Sequence, residues 1–247
     1  MTNSVAWWLV IPAAGVGQRM QSEQPKQYLS MGGDRHMLAI TLSRFLSLPG
    51  LAGVVLALAS DDPGEHDWLP AMPVPLRLVV GGATRAVSVC NALEAVAREA
   101  DEQTWVLVHD AARPCVRPED VRRLLRIGAQ GEGAILGAPV RDTMKRVRPD
   151  GVIDATVPRG DLFHALTPQM FRLGALRRAL GDAARDGATV TDESSAMERL
   201  GVRPRLVEGS QDNIKVTYPE DLSLAVEILR AQGVLPPAVA SAAGVTA

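Results

Sequence analysis

The sequence predicts an α/β fold of three layers, in which a mostly parallel sheet lies between helices and a β-hairpin protrudes. Short, continuously apolar runs alternate with amphipathic stretches along most of the chain, as in buried parallel strands joined by crossover helices. The alternation stops between about residues 139 and 162, where short strand-like pieces surround Pro149-Asp150-Gly151 and indicate a hairpin.

The elements before the hairpin follow in order from these two patterns. The apolar runs predict strands at Trp7–Ile11, Val54–Ala59, Leu76–Val80, Trp105–His109 and Ala134–Leu136. The amphipathic stretches predict helices at Leu38–Leu48, Ala86–Glu99 and Glu119–Gly128. The third helix also has start signals, because Pro118 precedes two acidic residues, Glu119 and Asp120.

The hairpin and the segments after it complete the predicted domain. The hairpin contains little apolar material and cannot bury itself, so we expect residues 139–162 to be an arm that packs on a partner chain. Beyond it, the sequence predicts helices at Met170–Asp186, Glu193–Leu200 and Glu220–Ala231, and strands near Leu206 and at Ile214–Val216. Residues 1–231 then form one domain, and residues 232–247, which lack any period, form a disordered tail.

Composition excludes several classes of function. Of the 247 residues, 47% are hydrophobic and 22% are charged, which is typical of a soluble globular protein. The net charge of −2 gives no reason to expect nucleic acid or an anionic membrane as a partner. No apolar run approaches the roughly 20 residues that span a bilayer, and Val5–Ile11 fits a first strand better than a signal peptide. Cys90 and Cys115 have no metal spacing, so we expect a reducing cytoplasm.

The first candidate for ligand binding is the loop after the first strand, within VIPAAGVGQRMQSEQPKQYL. Small residues let its backbone approach a ligand closely, and these are Ala13, Ala14, Gly15 and Gly17. Met20 stands where a dinucleotide fingerprint has its third glycine, and no Walker motif follows. Arg19 and Lys26 can instead neutralise phosphate oxygens.

Three more segments are expected at the sheet edge where the strands have their carboxyl ends, which is where open α/β sheets bind ligands. Two of them are loops that follow strands, GGATRAVS (Gly81–Ser88) and VHDAARP (Val108–Pro114). The other, DNIKVT (Asp212–Thr217), places Lys215 within a late strand at the same sheet edge. Asp110 is the obvious Mg²⁺ ligand, and Asp212 is a weaker second candidate. No Ser-His-Asp, Cys-His or zinc pattern is present, so cations, carboxylates and backbone donors indicate phosphoryl or nucleotidyl transfer.

Each of these features also has a simpler structural explanation. Gly81-Gly82 can be a plain turn, and Asp110 can cap a helix with Arg113 as its surface partner. Lys215 can be a gatekeeper on an edge strand, while His109 and His164 can be ordinary half-buried histidines. Four loops of similar composition on one sheet edge are nevertheless hard to explain as turns.

Six stretches between about residues 7 and 230 carry a further signal when they are taken together. They are PAAGVGQRMQSEQPKQYL, VHDAARP, APVRDTMKR, HALTPQ, TDESSAME and VEGSQDNIKVTYPEDL. In this order they resemble the 2-C-methyl-D-erythritol 4-phosphate cytidylyltransferases of the non-mevalonate isoprenoid pathway. The resemblance implies a Rossmann-like nucleotidyltransferase sheet and a reaction in which the phosphate of a polyol phosphate attacks the α-phosphorus of CTP. A phosphate monoester is largely dianionic at neutral pH, so this nucleophile needs no general base.

The resemblance also implies roles for individual residues. Arg19, Lys26 and Lys215 match the cations that hold the triphosphate and stabilise developing charge. The cytosine and ribose pocket is matched by Pro12, Ala13, Ala14, Gly15, Gly81, Gly82, Arg85 and Ser88. The side that receives the sugar phosphate is matched by Asp110, Arg113, Thr143, Arg159 and Thr191. Arg159 is also counted among the catalytic cations. It belongs to the arm, which in the family crosses to a second subunit, so the resemblance implies a homodimer with Mg²⁺ or another divalent cation as cofactor.

Departures and alternatives accompany this interpretation. Pro158 precedes Arg159, and Ala83-Thr84 stands where acidic or polar residues are expected. One alternative is a ribitol 5-phosphate cytidylyltransferase, which has the same fold. The residues around Thr143 and Arg159 would distinguish this enzyme from a methylerythritol phosphate cytidylyltransferase. A dinucleotide-binding oxidoreductase lacks support, because no acidic residue ends the second strand. A regulatory homologue without activity is disfavoured, because the three triphosphate-binding cations are intact.

Overall fold

A seven-stranded sheet forms the centre of the computed structural model, which describes residues 5–15, 20, 25–32, 35–62, 64 and 66–237. Its strands are β1 (Trp7–Pro12), β2 (Leu51–Leu58), β3 (Leu76–Val80), β4 (Trp105–Val108), β5 (Ala134–Pro139), β8 (Phe163–Arg172) and β9 (Arg205–Glu208). They lie in the order β3-β2-β1-β4-β8-β5-β9. All neighbours are parallel except β8, which is antiparallel to both β4 and β5. The predicted mostly parallel sheet is confirmed.

Helices cover both faces of this sheet and make the three predicted layers. They are α1 (Met37–Leu46), α2 (Arg85–Val96), α3 (Pro118–Gly128), α4 (Leu173–Arg185), α5 (Glu193–Arg199) and α6 (Pro219–Ala231). Alternate side chains of β1 point to opposite faces: Leu9 packs in the cluster that contains α1 and α3, whereas Val10 packs with α2 and α4. Because both faces are covered, β1 is apolar throughout rather than alternating.

The arm consists of β6 (Met144–Val147) and β7 (Ile153–Val157), which pair antiparallel apart from the main sheet. The turn closes at the predicted residues, because the N–H of Gly151 donates to the carbonyl of Arg148 at 2.9 Å. Almost every arm side chain is exposed.

Strand β8 is an element that the sequence prediction lacks, and the predicted helix at Met170–Asp186 begins only at Leu173. The strand contains Pro168, and a proline argues against a central strand because it cannot donate to the ladder. The sheet accommodates Pro168 at a register shift in the β5–β8 pairing, between the partners of Ile135 and Gly137.

Two further expectations are wrong. Residues Ile214–Val216 form no strand, and this segment is instead held by a hydrogen bond from the Val216 N–H to the Ala112 carbonyl, 2.8 Å long. The chain also stays packed beyond 231, because Leu235 is 4% exposed and Gln232 donates to the carbonyl of Cys115 at 3.0 Å. The tail therefore does not begin at 232, and residues 238–247 lie outside the described part. Every helix in the described part is too short or too polar to cross a bilayer.

Candidate active site

A cavity of about 400 Å³ opens at the carboxyl ends of β1 and β4, at the sheet edge that the sequence indicates. It is lined by Pro12, Ala13, Ala14, Gly15, Lys26, Gln27, Gly82, Ala83, Thr84, Arg85, Ser88, Asp110, Ala111, Ala112 and Lys215. Segments far apart in the chain thus meet here, as expected for an open α/β sheet. Arg19 and Gly17 lie outside the described residues.

The small residues allow two loops of the cavity to touch. A Cβ on Gly81 would lie 2.4 Å from the Cβ of Ala14, so the loop before α2 packs directly against the loop after β1. Gly81 itself lies behind the cavity wall, whereas Gly82 lines it. The Ser88 hydroxyl accepts a hydrogen bond from the Gly82 N–H at 3.0 Å, which fixes the loop. Thr84 caps α2, because its side chain accepts from the Val87 N–H.

Lys26 begins a short 3-10 turn, Lys26–Tyr28, that faces the cavity. The next residue, Gln27, is 3% exposed and donates its amide to the carbonyl of Ala13 at 2.7 Å, so the turn is fastened to the first loop. Lys26 donates from Nζ to the carbonyl of Val216, beside Lys215. The structure therefore brings both predicted lysines to one wall.

Asp110 is the centre of a cluster of cations. Its Oδ1 lies 2.8 Å from Arg85 Nε, and its Oδ2 lies 2.8 Å from Lys215 Nζ. Arg113 Nε is 3.6 Å from the same Oδ2. Burial by itself raises the pKa of Asp110, but the three cations together hold it well below the usual range of an aspartate. Asp110 is therefore a carboxylate whenever the protein is folded near neutral pH.

Arg85 has a second acidic partner, Glu193, which sequence reasoning missed. Arg85 Nη1 and Nη2 donate to the two oxygens of Glu193 at 2.6 and 3.1 Å. Burial raises the pKa of Glu193, and the guanidinium acts in the opposite direction. A glutamate in the first turn of a helix is ordinarily a solvated partner of the helix dipole. Only the packing of α5 near Arg85 shows its role.

A buried chain of hydrogen bonds lies behind Asp110. The Asp110 N–H donates to Thr167 Oγ1 at 3.1 Å, and Thr167 Oγ1 is 3.0 Å from His109 Nδ1. His109 Nε2 lies 3.1 Å from the carbonyl of Arg113, which can only accept, so Nε2 carries the proton and Nδ1 accepts from Thr167. Burial lowers the pKa of His109 to about 4. His109 is thus a neutral histidine with a structural role, as the simpler of the two explanations predicts. Both of its ring nitrogens are hydrogen-bonded within the protein, so neither can bind a substrate.

Asn213 joins this chain to the segment that carries Lys215. It is 1% exposed, donates its side-chain amide to the carbonyl of Thr167 at 2.8 Å, and accepts from Arg113 Nη1 at 2.7 Å through its backbone carbonyl. Arg113 does not line the cavity but braces Asp110 from behind. Thr167 and Asn213 were not predicted, because their partners are remote in sequence.

Other predicted residues lie away from the cavity. Asp212 accepts from Arg117 Nε at 3.1 Å and from Gln232 Nε2 at 3.3 Å, so it does not share a site with Asp110. Thr191 lines a second cavity of about 380 Å³, which shares Thr84 and Arg85 with the first. Thr143 and Arg159 lie exposed in the arm region, where Arg159 donates to the carbonyl of Arg141.

The residues that line the cavity could hold a divalent cation only together with the phosphates of a bound nucleotide. The described residues include no group of three or more His, Cys, Asp or Glu side chains that could hold a metal. Asp110 is the only acid among the described residues that line the cavity. A carboxylate has about four acceptor positions, and two short contacts leave room for one cation beside the phosphates of a nucleotide.

Comparisons with known proteins identify the family of the chain. The model of the IspD family, 2-C-methyl-D-erythritol 4-phosphate cytidylyltransferase, matches residues 7–231. A protein of that name from Stenotrophomonas maltophilia (strain R551-3) is 51% identical over 220 residues, which is 89% of this chain and 94% of that protein. One from Aeromonas hydrophila subsp. hydrophila is 52% identical over 229 residues, or 93% of this chain and 92% of that protein.

Solved structures give the same result. A crystal structure of a 4-diphosphocytidyl-2C-methyl-D-erythritol synthase superposes with a TM-score of 0.77 at 36% identity, covering 91% of this chain and 99% of that chain. The cytidylyltransferase from Thermus thermophilus gives a TM-score of 0.73 at 35% identity, covering 92% and 99% of the two chains.

Proposed function

The chain belongs to the family of 2-C-methyl-D-erythritol 4-phosphate cytidylyltransferases, and we propose that it carries out their reaction in the 400 Å³ cavity. In this reaction the cytidylyl group of CTP is transferred to 2-C-methyl-D-erythritol 4-phosphate, and pyrophosphate is released. The observation that supports the site most directly is the convergence of Lys26 and Lys215 with two loops of small residues on one wall. A triphosphate is bound by cationic side chains together with backbone N–H groups, and loops of small residues allow such N–H groups to approach it.

The chemistry follows from charge. An oxygen of the substrate phosphate forms a bond to the α-phosphorus of CTP, while the bond from that phosphorus to the bridging oxygen breaks and pyrophosphate leaves with the electron pair. The nucleophile is already largely dianionic, so no proton has to be removed. This agrees with the cavity, whose described lining contains no histidine; His109, the residue before Asp110, is neutral, fully buried and hydrogen-bonded at both nitrogens.

The cations have distinct tasks in this proposal. Lys26 and Lys215 neutralise the charge that builds on the α-phosphate and on pyrophosphate, with Arg19 as a third cation from the first loop. Arg85 and Asp110 order the wall between the nucleotide and the incoming phosphate. Mg²⁺, held by phosphate oxygens and by Asp110, is the proposed cofactor, and when bound it supplies further charge neutralisation.

We also propose that the arm crosses to a second copy of the chain and brings Arg159 and Thr143 to the partner's sugar-phosphate side. The support is exposed apolar surface on an otherwise weakly anchored pair of strands: Val147 is 55% exposed, Val152 50% and Ile153 59%. An isolated two-stranded hairpin is marginal in water, so such a surface is expected to be covered.

The test is pyrophosphate release from CTP and Mg²⁺, with methylerythritol 4-phosphate and ribitol 5-phosphate supplied in parallel. Release with the first substrate alone is expected. Release with ribitol 5-phosphate alone would keep the fold and the cavity but overturn the substrate, whereas no release with either from a folded protein that binds CTP would leave the regulatory alternative.

A further inference from the structure

Arg85 holds two carboxylates at once, and they come from different parts of the sheet edge. Its Nε contacts Asp110, which follows β4, and its two terminal nitrogens contact Glu193, which begins α5. Arg85 itself begins α2. One guanidinium therefore joins three elements that are separate in the chain.

The position of Glu193 is fixed by more contacts than an ion pair alone would need. Glu193 is 1% exposed, whereas its partner Arg85 is 27% exposed, and an ion pair with a carboxylate buried in this way is commonly no more stabilising than apolar residues of the same volume. The turn that carries it is also fixed from β8: Gln169 accepts from the Ser194 N–H at 2.8 Å and donates to Asp192 at 2.8 Å. The position of the Glu193 carboxylate is thus set from two sides.

That position is transmitted to the reacting centre through contacts of hydrogen-bond length. Glu193 holds the two terminal nitrogens of Arg85, Arg85 Nε lies 2.8 Å from Oδ1 of Asp110, and Oδ2 of Asp110 lies 2.8 Å from Lys215 Nζ. Among the described residues, Asp110 is the acid that forms an ion pair with Lys215, so it largely decides how the ammonium is oriented.

We infer that Glu193 is a positioning residue for cytidylyl transfer, which acts through Arg85 and Asp110 to orient the Lys215 ammonium in the cavity. The inference rests on the proposed function. The inference also links the second cavity to the first, because Glu193 lies two residues after Thr191 and both residues line the second cavity. A substrate that contacts Thr191 would then act on the same short turn that orients Lys215.

Glu193→Gln separates this role from a merely structural one. The change removes a negative charge from the surroundings of the cavity, so electrostatics does not weaken the binding of a triphosphate. It also releases half of the Arg85 anchorage, so the orientation of Lys215 is lost where charge develops. We expect kcat to fall about 10- to 100-fold, since small misplacements at a reacting centre cost this much, while the KM for CTP stays equal or falls.

Glu198→Gln is the matched control. It makes the same charge change on the same helix, where Glu198 accepts from the Ser194 hydroxyl at 2.7 Å and does not contact Arg85. Glu193→Asp is the second variant: it retains the charge but withdraws it by one methylene, and its kcat should also fall. In Arg85→Lys, adding Glu193→Gln should cause little further loss, because Glu193 acts through Arg85.

Initial rates of pyrophosphate release, with CTP and methylerythritol 4-phosphate varied separately, decide the matter. If Glu193→Gln has the same kcat as Glu198→Gln, the inference is overturned while the proposed function stands. The same holds if the loss of activity appears only as a raised KM, or if the loss in kcat is additive with that of Arg85→Lys. If Glu193→Gln does not fold, Glu193→Asp with normal kcat has the same force. Absence of release from the wild-type chain would overturn the proposed function and this inference together.

Discussion

Lys26 and Val216 are 190 positions apart in the chain, yet the ammonium of the first donates a hydrogen bond to the carbonyl of the second, 3.1 Å away. Val216 is fully buried and is fixed in turn by Ala112, which lines the cavity. Since Lys215 precedes Val216, the bond brings together two of the cations on which the proposed chemistry depends.

Lys26→Ala should therefore reduce turnover strongly. Removing one group that stabilises developing charge typically lowers the rate about 10²- to 10³-fold, and we expect a loss of this size in kcat for pyrophosphate release. The thermal unfolding midpoint should change little, because Lys26 is a half-buried side chain at the cavity rim. A folded Lys26→Ala enzyme with near-normal kcat would refute the role assigned to this lysine.

Asp110→Asn should destabilise the fold. The change leaves Arg85, Lys215 and Arg113 without the carboxylate that they share, and breaking a buried ion pair costs about 3–5 kcal/mol. Urea unfolding at neutral pH measures the difference. Asp186→Asn is the control, because its partner Arg199 is a surface residue and such pairs contribute about 0–1 kcal/mol. Equal stability of the two variants would contradict the description of the cluster.

His109 should make the protein sensitive to mild acid. Its folded pKa is about 4, below the value of about 6.5 expected in the unfolded chain, so between these values the unfolded chain binds more protons. Its contribution to the free energy of unfolding is thus complete above pH 6.5 and is lost as the pH falls toward 4, by up to roughly 3 kcal/mol. Unfolding of wild type and His109→Gln across this window should show a smaller pH dependence in the variant; parallel curves would contradict the assignment.

The arm gives a prediction for mixed dimers. If Arg159 acts in the partner's site, Arg159→Ala and Lys26→Ala are each inactive alone, but a heterodimer of the two contains one intact site. After subunit exchange of equal amounts, about one quarter of wild-type activity should return, because half of the dimers are mixed and each has one of two sites intact. Exchange verified by mass, with no return of activity, would exclude a shared site.

The sequence predicts the parts of this molecule that depend on local pattern, and fails where distant segments decide the structure. The apolar runs predict β1, β2 and β4 because a buried parallel strand needs nothing else, and β3, a half-exposed edge strand, is predicted from the same kind of run. Strand β8 escapes prediction because Pro168 is tolerated only at an irregularity of its pairing with β5, which the strand's own residues do not show.

The site divides in the same way. Lys26 and Asp110 follow from charge in loops after strands, whereas Lys215 is expected within a strand that the structure lacks; all three line the cavity. Asp212 is an aspartate like Asp110 but forms its ion pair with Arg117, outside the cavity. Glu193 has the sequence pattern of a surface glutamate but forms a buried ion pair with Arg85. Which acid faces the cavity is thus decided by packing between elements rather than by residue type.

The packing of Leu235 has a consequence for the protein during its synthesis. Leu235 belongs to the apolar cluster that also contains Val216, Met37 and Met20, so the wall that carries Lys215 is backed by one of the last described segments to be translated. Domains form from the amino terminus as the chain emerges, at roughly 5–20 residues per second. The strands β1 to β4 can pair while the chain is still growing, whereas the apolar cluster behind Lys215 is complete only after Leu235 has left the ribosome.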